Sequence, residues 1–322
     1  MDGPQALRST FSIAAYDPDT QSWGVAAQSK YLAVGSVVPW AWAGVGAVAT
    51  QARVNVGYGP DSLELLAKNL APEAVLEQLT TADPGRVWRQ IGIVDRHGHA
   101  ATYTGAQCFP WAGARTGEGY TCQGNMLASA GVLDALAETF EQARDRGSDG
   151  LAEWLLVALS AAQSAGGDRR GQESASLLVV QEQGGPEGLN DRATDLRIDD
   201  HPAPITELHR LLALHRGLSA PHDRLPRISL LMATRRQTVE MLRLLGYLPD
   251  TGLNPTEVPG PELLQALARY AADEELPEYV DVPAQKFAPA LLNFLRLRAY
   301  TPPATERPAG RPPLRQRRPQ QQ

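Results

Sequence analysis

Residues 10–16 read Thr10-Phe-Ser-Ile-Ala-Ala-Tyr16, an alternation of β-branched, aromatic and small residues that predicts a strand. The fold follows from this stretch and its neighbours. Asp17-Pro-Asp-Thr20 has the residues of a turn, and 23–28 reads as the returning strand of a hairpin. Residues 44–50 form a third strand, glycine-rich and apolar on both faces. A strand apolar on both faces is covered on both sides. A second hairpin is predicted at 90–95 and 100–104 around His97-Gly98, with further strands at 174–181 and 195–198.

Helices are predicted between these strands. Residues 60–70 open with proline and aspartate, a helix-start pattern, and 72–81 follows as a short helix. Residues 127–144 carry Leu133, Leu136, Phe140 and Ala143 at helical spacing. Residues 151–165 run apolar into the Gly166-Gly167 break, and 205–215 place Leu208, Leu211, Leu212 and His215 on one face. Paired helices between groups of antiparallel strands predict an α+β fold of two stacked sheets covered by helices, a four-layer αββα sandwich. The strict βαβ alternation of a doubly wound sheet is absent. This first domain is expected over 9–218, with a linker over 219–227. A small all-α domain is expected over 228–300, from helices at 238–245, 260–272 and 289–297 with a turn at 246–252. Residues 301–322, rich in Pro, Arg and Gln, read as a disordered tail. Its Arg311, Arg315, Arg317 and Arg318 either touch an anionic surface or are simply solvated.

Composition narrows the function classes. Hydrophobic residues make up 43% and charged residues 20% of the 322, a globular balance. A net charge of −6 gives no electrostatic case for nucleic acid. Two cysteines, Cys108 and Cys122, cannot build a disulfide framework, and neither a C-x-x-C nor an H-E-x-x-H spacing occurs, so no metal or other cofactor is expected. Residues 1–9 lack a secretory pattern, and no apolar run reaches the ~18 residues of a membrane span. The expected compartment is the cytoplasm.

Five segments carry candidate chemistry. Thr10 heads the first strand, and a threonine with a free α-amine can attack a carbonyl using that amine as its base. The amine titrates at about 7.7–8.0, so much of it accepts protons near neutrality. Nine residues precede Thr10 here, so the amine must be released, by cleavage at Ser9–Thr10 or by a start site further downstream. Lys30, after the second strand, would lie near Thr10 as a cation that tunes the nucleophile or holds a carboxylate, with Ser29 a hydrogen-bond donor on the same turn. Gln51, Asn55 and Tyr58 gather where a strand meets a helix, and amides there can hold a substrate carboxylate or amide. Residues 116–125 are glycine-spaced, so a backbone N–H there can approach a ligand closely, and they end before a helix in Asn125, an oxyanion donor or the N-cap of that helix. In Gly166-Gly-Asp-Arg-Arg-Gly171, Arg169 or Arg170 can grip a substrate carboxylate bidentately while Asp168 holds a guanidinium or the catalytic amine. A Ser-His-Asp set is not indicated, since no G-x-S-x-G occurs.

Several of these motifs together resemble one bacterial and archaeal family. They are T-F-S-I at 10–13, V-G-S-V-V-P-W-A at 34–41, G-V-G-A-V-A-T-Q-A at 44–52, W-A-G at 111–113, T-G-E-G-Y at 116–120, Q-G-N at 123–125, A-G-G-D-R-R-G at 165–171 and D-L-R-I-D-D-H-P at 195–202. It is an uncharacterised family placed in the N-terminal-nucleophile (Ntn) hydrolase superfamily. The resemblance implies the αββα fold and a metal-free amide hydrolase, and supplies no substrate. Members often begin at Met-Thr-Phe-Ser-Ile, so the residues before Thr10 are a departure. L-L-G-Y-L-P-D-T-G at 244–252 is similar to a helical peptidoglycan-binding module carried by some members. Two functions are thus expected. One is an Ntn-type amidohydrolase acting on a small amide or peptide-like substrate. The other is a non-catalytic protein of the same fold that binds peptidoglycan fragments or other small ligands. A homo-oligomer is possible in either case.

Overall fold

The structure is a computed structural model describing residues 10–147, 150–219, 228–229, 232–250, 252–288 and 290–300. The nine residues before Thr10, most of the linker and the tail lie outside the described residues. The chain divides into two compact units, 1–219 and 220–322.

In the first unit β1 (Thr10–Asp17) and β2 (Ser22–Ser29) pair antiparallel. Asp17 makes the turn between them by accepting from the Asp19 N–H and the Thr20 hydroxyl. A second segment of chain supplies β3 (Pro39–Trp42), β4 (Gly46–Ala52), β5 (Arg89–Asp95) and β6 (Ala100–Thr104). They form a sheet in the order β3-β4-β5-β6. Adding β7 (Gly113–Gly117), β8 (Tyr120–Asn125), β9 (Ser174–Gln181) and β10 (Arg192–Ile198) to the first hairpin gives a six-stranded sheet, β10-β9-β2-β1-β8-β7. Every pairing in both is antiparallel. The unit is therefore α+β.

The glycine-spaced segment 116–125 belongs to the β7–β8 hairpin. Its glycines mark close approach within the sheet. A Cβ at Gly117 would fall 2.7 Å from Tyr120 Cζ, and one at Gly124 2.6 Å from Leu127 Cδ1. The long helix starts later than periodicity predicts. The Leu127 N–H bonds the Trp111 carbonyl, and Leu127 bridges Asp168 in strand fashion, so α3 spans Gly131–Asp145. The other helices are α1 (Tyr58–Ala67), α2 (Pro72–Ala82), α4 (Gly150–Ser164) and α5 (Pro204–Ser219).

Strand alternation sorts β1 into two faces. Phe11, Ile13 and Ala15 pack in one core with Leu133, Leu136 and Phe140 of α3, Leu155 and Leu159 of α4, and Leu208 of α5. Ala14 and Tyr16 face the other way, with Trp23 and Val25 of β2, into a core shared with Ala47, Ala49 and Val94 of the second sheet. Val48, Ile91 and Ile93 on the far side of that sheet meet Leu63 and Leu66 of α1 and Val75 of α2.

The second unit has its own core, in which Val239, Leu263, Leu267, Tyr270, Phe287 and Leu291 are buried together. Its helices are α6 (Met232–Leu244), α7 (Gly260–Asp273) and α8 (Ala290–Tyr300). It is not all-α. Three two-residue strands, β11 (Ile228–Ser229), β12 (Val280–Asp281) and β13 (Lys286–Phe287), pair in the order β11-β13-β12. Residues 282–285 close β12 onto β13, with the Ala284 N–H on Asp281 Oδ1 and Gln285 at φ 55°, a turn too short for periodicity to reveal.

Candidate functional site: a buried amide layer at the head of the first strand

Between the two sheets the filling changes character along β1. Toward Tyr16 it is apolar, and toward Thr10 it is polar. The register explains which side chains meet. Thr10 is paired with Ser29 of β2 and Asn125 of β8, and Ser12 with Ala27 and Gln123. Cross-strand partners point to the same face, so Ser29, Thr10 and Asn125 stand in a row. Opposite them the second sheet presents Gln51 of β4 and Gln90 of β5, themselves a cross-strand pair.

These side chains form one hydrogen-bonded system. The Thr10 hydroxyl donates to Ser29 Oγ at 3.2 Å. Gln51 Nε2 donates to the Thr10 carbonyl at 3.2 Å, to Gln90 Oε1 at 2.8 Å and to the Gln123 carbonyl at 3.3 Å. Ser12 Oγ donates to Gln51 Oε1 at 2.6 Å and accepts from Gln123 Nε2 at 2.6 Å. Asn125 Nδ2 donates to Gln90 Oε1 at 3.1 Å. Thr10, Ser12, Ser29, Gln51, Gln90, Gln123 and Asn125 are all buried. A buried amide left unpaired costs roughly 1–3 kcal/mol, so so many are tolerable only because they satisfy one another. None of them carries a formal charge. Gly92 of β5 lies under this layer, where a Cβ would run into Gln123 Oε1 and sit 2.7 Å from its Cδ. Only glycine lets the two sheets approach here.

The glycine-flanked segment after α4 meets the same end of the sheet. Gly166 and Gly171 adopt φ of 114° and 105°, which only glycine takes readily, and with Gly167 at 50° they fold the chain back on itself. The Ala128 N–H reaches the Gly167 carbonyl, and the Arg169 N–H the Met126 carbonyl. Asp168 is thereby buried, with its side chain fully enclosed. It accepts from the Lys30 N–H at 3.1 Å, the Arg170 N–H at 2.9 Å and the Arg170 guanidinium at 3.2 and 3.3 Å. Asp168 thus anchors the chain immediately after Ser29.

The expected site residues separate accordingly. Thr10, Ser29, Gln51 and Asn125 share the amide layer, and Asp168, Arg170 and the Lys30 backbone share the adjoining turn. The Lys30 ammonium bonds the Gln172 carbonyl at 3.1 Å and Glu173 Oε2 at 3.5 Å. Asn125 is not the cap of the long helix. It ends β8, and Ala130 stands at the N-cap of α3. Asn55 is spent on its own turn, its Oδ1 accepting from the Gly57 N–H and its carbonyl from the Thr50 hydroxyl. Arg169 is exposed and its side chain has no partner among the described residues. Ser12, Gln90 and Gln123 were not anticipated. Their signal was a polar residue on the inward phase of an otherwise apolar strand.

Other groupings carry less chemistry. Two surface clefts, of about 360 Å³ and about 220 Å³, share His97, and the larger is lined by Tyr16 at the opposite end of β1. Thr10 lies about 20 Å from that end at ~3.3 Å per residue. The clefts hold His97, His99 and Arg144 but no organised nucleophile. Ser160, His209 and Glu153 do assemble in space, with Ser160 Oγ 2.8 Å from His209 Nε2 and His209 Nδ1 4.0 Å from Glu153 Oε1. Yet the Ser160 hydroxyl also bonds the Leu156 carbonyl within α4, where the neighbouring N–H groups are bound in the helix and offer no oxyanion hole. Among the described residues no group of three or more His, Cys, Asp or Glu is placed to hold a metal ion. No helix among them is long and apolar enough to cross a membrane.

Comparison with known proteins is consistent with this layout. The crystal structure of SPO2555 from Silicibacter pomeroyi, of family DUF1028, is 34% identical, with a TM-score of 0.57, over 65% of this chain and 86% of that one. No curated protein matches. The family model for DUF1028, a family of unknown function, matches residues 10–208, from the head of β1 into α5. The chain belongs to that family.

Proposed function

We propose that the first unit is an Ntn-type amidohydrolase with Thr10 as its nucleophile. The observation that carries the reading is the placement of Thr10 at the head of β1, in register between Ser29 and Asn125. The order of cores, helices against one sheet, that sheet against a second, and the second against further helices, supports an Ntn-like αββα sandwich. Cleavage of the Ser9–Thr10 bond, or a start adjoining Thr10, frees the amine. Thr10 Oγ1 then attacks the substrate carbonyl and its proton passes to that amine. Asn125 donates to the oxyanion. The amine returns the proton to the leaving nitrogen as the C–N bond breaks, and water hydrolyses the resulting ester to a carboxylic acid. The exposed Arg169 binds a substrate carboxylate, and Asp168 with Arg170 holds the turn beside Ser29. The substrate is a small amide or peptide-like molecule, and residues 228–300 bind a peptidoglycan-derived fragment.

Thr10 is only 1% exposed, which favours a second reading, a non-catalytic protein that keeps the fold as a scaffold for small ligands. Intact-mass spectrometry with a β-lactone, an acylating probe for nucleophilic threonine, separates the two. The hydrolase predicts a chain beginning at Thr10 and carrying one acyl group, with Thr10→Ala neither processed nor acylated. Equal acylation of wild type and Thr10→Ala, or none in either, removes the catalytic reading.

A further inference from the structure

Gln90 stands at the junction of the amide layer. It is fully buried in the middle of the site, yet it belongs to the sheet that does not contain Thr10. Its Nε2 is surrounded by three oxygens, the Gly124 carbonyl at 2.9 Å, Thr104 Oγ1 at 3.0 Å and the Gly113 carbonyl at 3.1 Å. Carbonyl oxygens only accept, so this end of the carboxamide must be the NH2 group. Its Oε1 therefore faces the site and requires donors from both amides that reach it, Gln51 and Asn125. Through Gln51 the constraint continues to the Thr10 carbonyl. One buried carboxamide thus sets which way round two others stand, and both adjoin the head of β1.

We propose that Gln90 is a positioning residue for the Thr10 centre. It holds Thr10 through Gln51, and it turns the Asn125 amide so that its NH2 group points toward the second sheet. The proposal rests on the reading of Thr10 as nucleophile. Gln90 itself touches no reacting atom.

The test compares Gln90→Met and Gln90→Glu with wild type in the full chain. The measurement is the rate of Thr10 acylation by the β-lactone per folded molecule, read by intact mass across about pH 5.5 to 8. Gln90→Met fills similar volume without hydrogen bonds, and acylation should fall roughly 10- to 100-fold, the scale of a misplaced reacting group. Gln90→Glu keeps the acceptor facing Gln51 and Asn125 but loses the NH2 group facing Gly113, Gly124 and Thr104. A buried carboxyl is protonated more readily than a solvated one, and the acid form restores one donor. The Gln90→Glu rate relative to wild type should therefore rise as pH falls, while that of Gln90→Met stays flat. A merely structural role would lower the unfolding temperature without this pH signature. Wild-type rates in both variants, a flat ratio for Gln90→Glu, or failure of both to fold would overturn the inference and leave the Thr10 reading intact. Absence of Thr10 acylation in wild type would remove the reading itself, and the inference with it.

Discussion

Adding one methyl group at Gly92 should destabilise the first unit more than most substitutions of that size. The new Cβ would collide with Gln123 Oε1 and lie 2.7 Å from Gln123 Cδ and 2.8 Å from Thr121 Cγ2. A flexible side chain could swing away, but Gln123 is held. Its Nε2 donates to Ser12 Oγ at 2.6 Å and to the Ser12 carbonyl at 3.3 Å, while its Oε1 accepts from Thr121 at 3.2 Å. Either the side chain stays and the sheets separate, or it leaves and buried polar atoms lose partners. Overpacking costs about 1–3 kcal/mol and an orphaned buried polar group costs about the same, so by either route Gly92→Ala should cost about 1–3 kcal/mol. For a unit of this size, that corresponds to a fall in Tm of roughly 2–12 °C. All six tryptophans, Trp23, Trp40, Trp42, Trp88, Trp111 and Trp154, lie in the first unit, so tryptophan fluorescence during thermal unfolding reports on it alone. Adding Gln123→Ala to Gly92→Ala should restore part of the loss, because the clashing atoms are gone. A Gly92→Ala cost below about 0.5 kcal/mol, within the range of an ordinary surface change, would refute the picture of a rigid amide layer.

Other expectations follow from neighbouring contacts. Arg170→Ala strips the guanidinium from a fully enclosed carboxylate and should cost roughly 1–3 kcal/mol, whereas Arg169→Ala removes an exposed side chain without a partner among the described residues and should stay within about 0.5 kcal/mol. Equal shifts in unfolding temperature for these adjacent arginines would contradict the assigned contacts. Burial pulls His209 below its ordinary value of 6.5, and Glu153 only partly offsets this. The unfolded chain then binds the proton more readily, so the contribution of neutral His209 is complete above pH 6.5 and is lost as pH falls toward its folded value. His209→Gln should flatten the acid limb of unfolding temperature against pH, and an unchanged limb would remove His209 as its source. Thr10→Ala should abolish processing and acylation together, as set out above.

The head of the first strand was legible in residues 10–16 because a strand's period of two is written directly into the residue order. Period also revealed β2, the β5–β6 hairpin and the existence of each main helix. It failed at β7, β8 and the start of α3, where Gly113, Gly117 and Gly124 look like loop residues. Those glycines are there because Trp111, Tyr120 and Leu127 pack over the backbone, and packing partners leave no mark on local periodicity. Asn125 shows the same limit, since a residue six positions before a helix resembles a cap until pairing with Thr10 places it in a strand.

Thus sequence alone determined the α+β class, the alternation of β1, the burial of β4 on both faces, and Thr10, Asp168 and Arg170 as residues of note. Only tertiary structure decided what those residues touch. Gln51 and Gln90 reach the first sheet from the second, Gln123 meets Gly92 across the same gap, and Asp168 closes on Lys30 from far along the chain. Hydrogen bonds between sheets depend on register and on the distance between the layers. Neither is encoded within any one segment, because each is set by how all the strands and their cores pack at once.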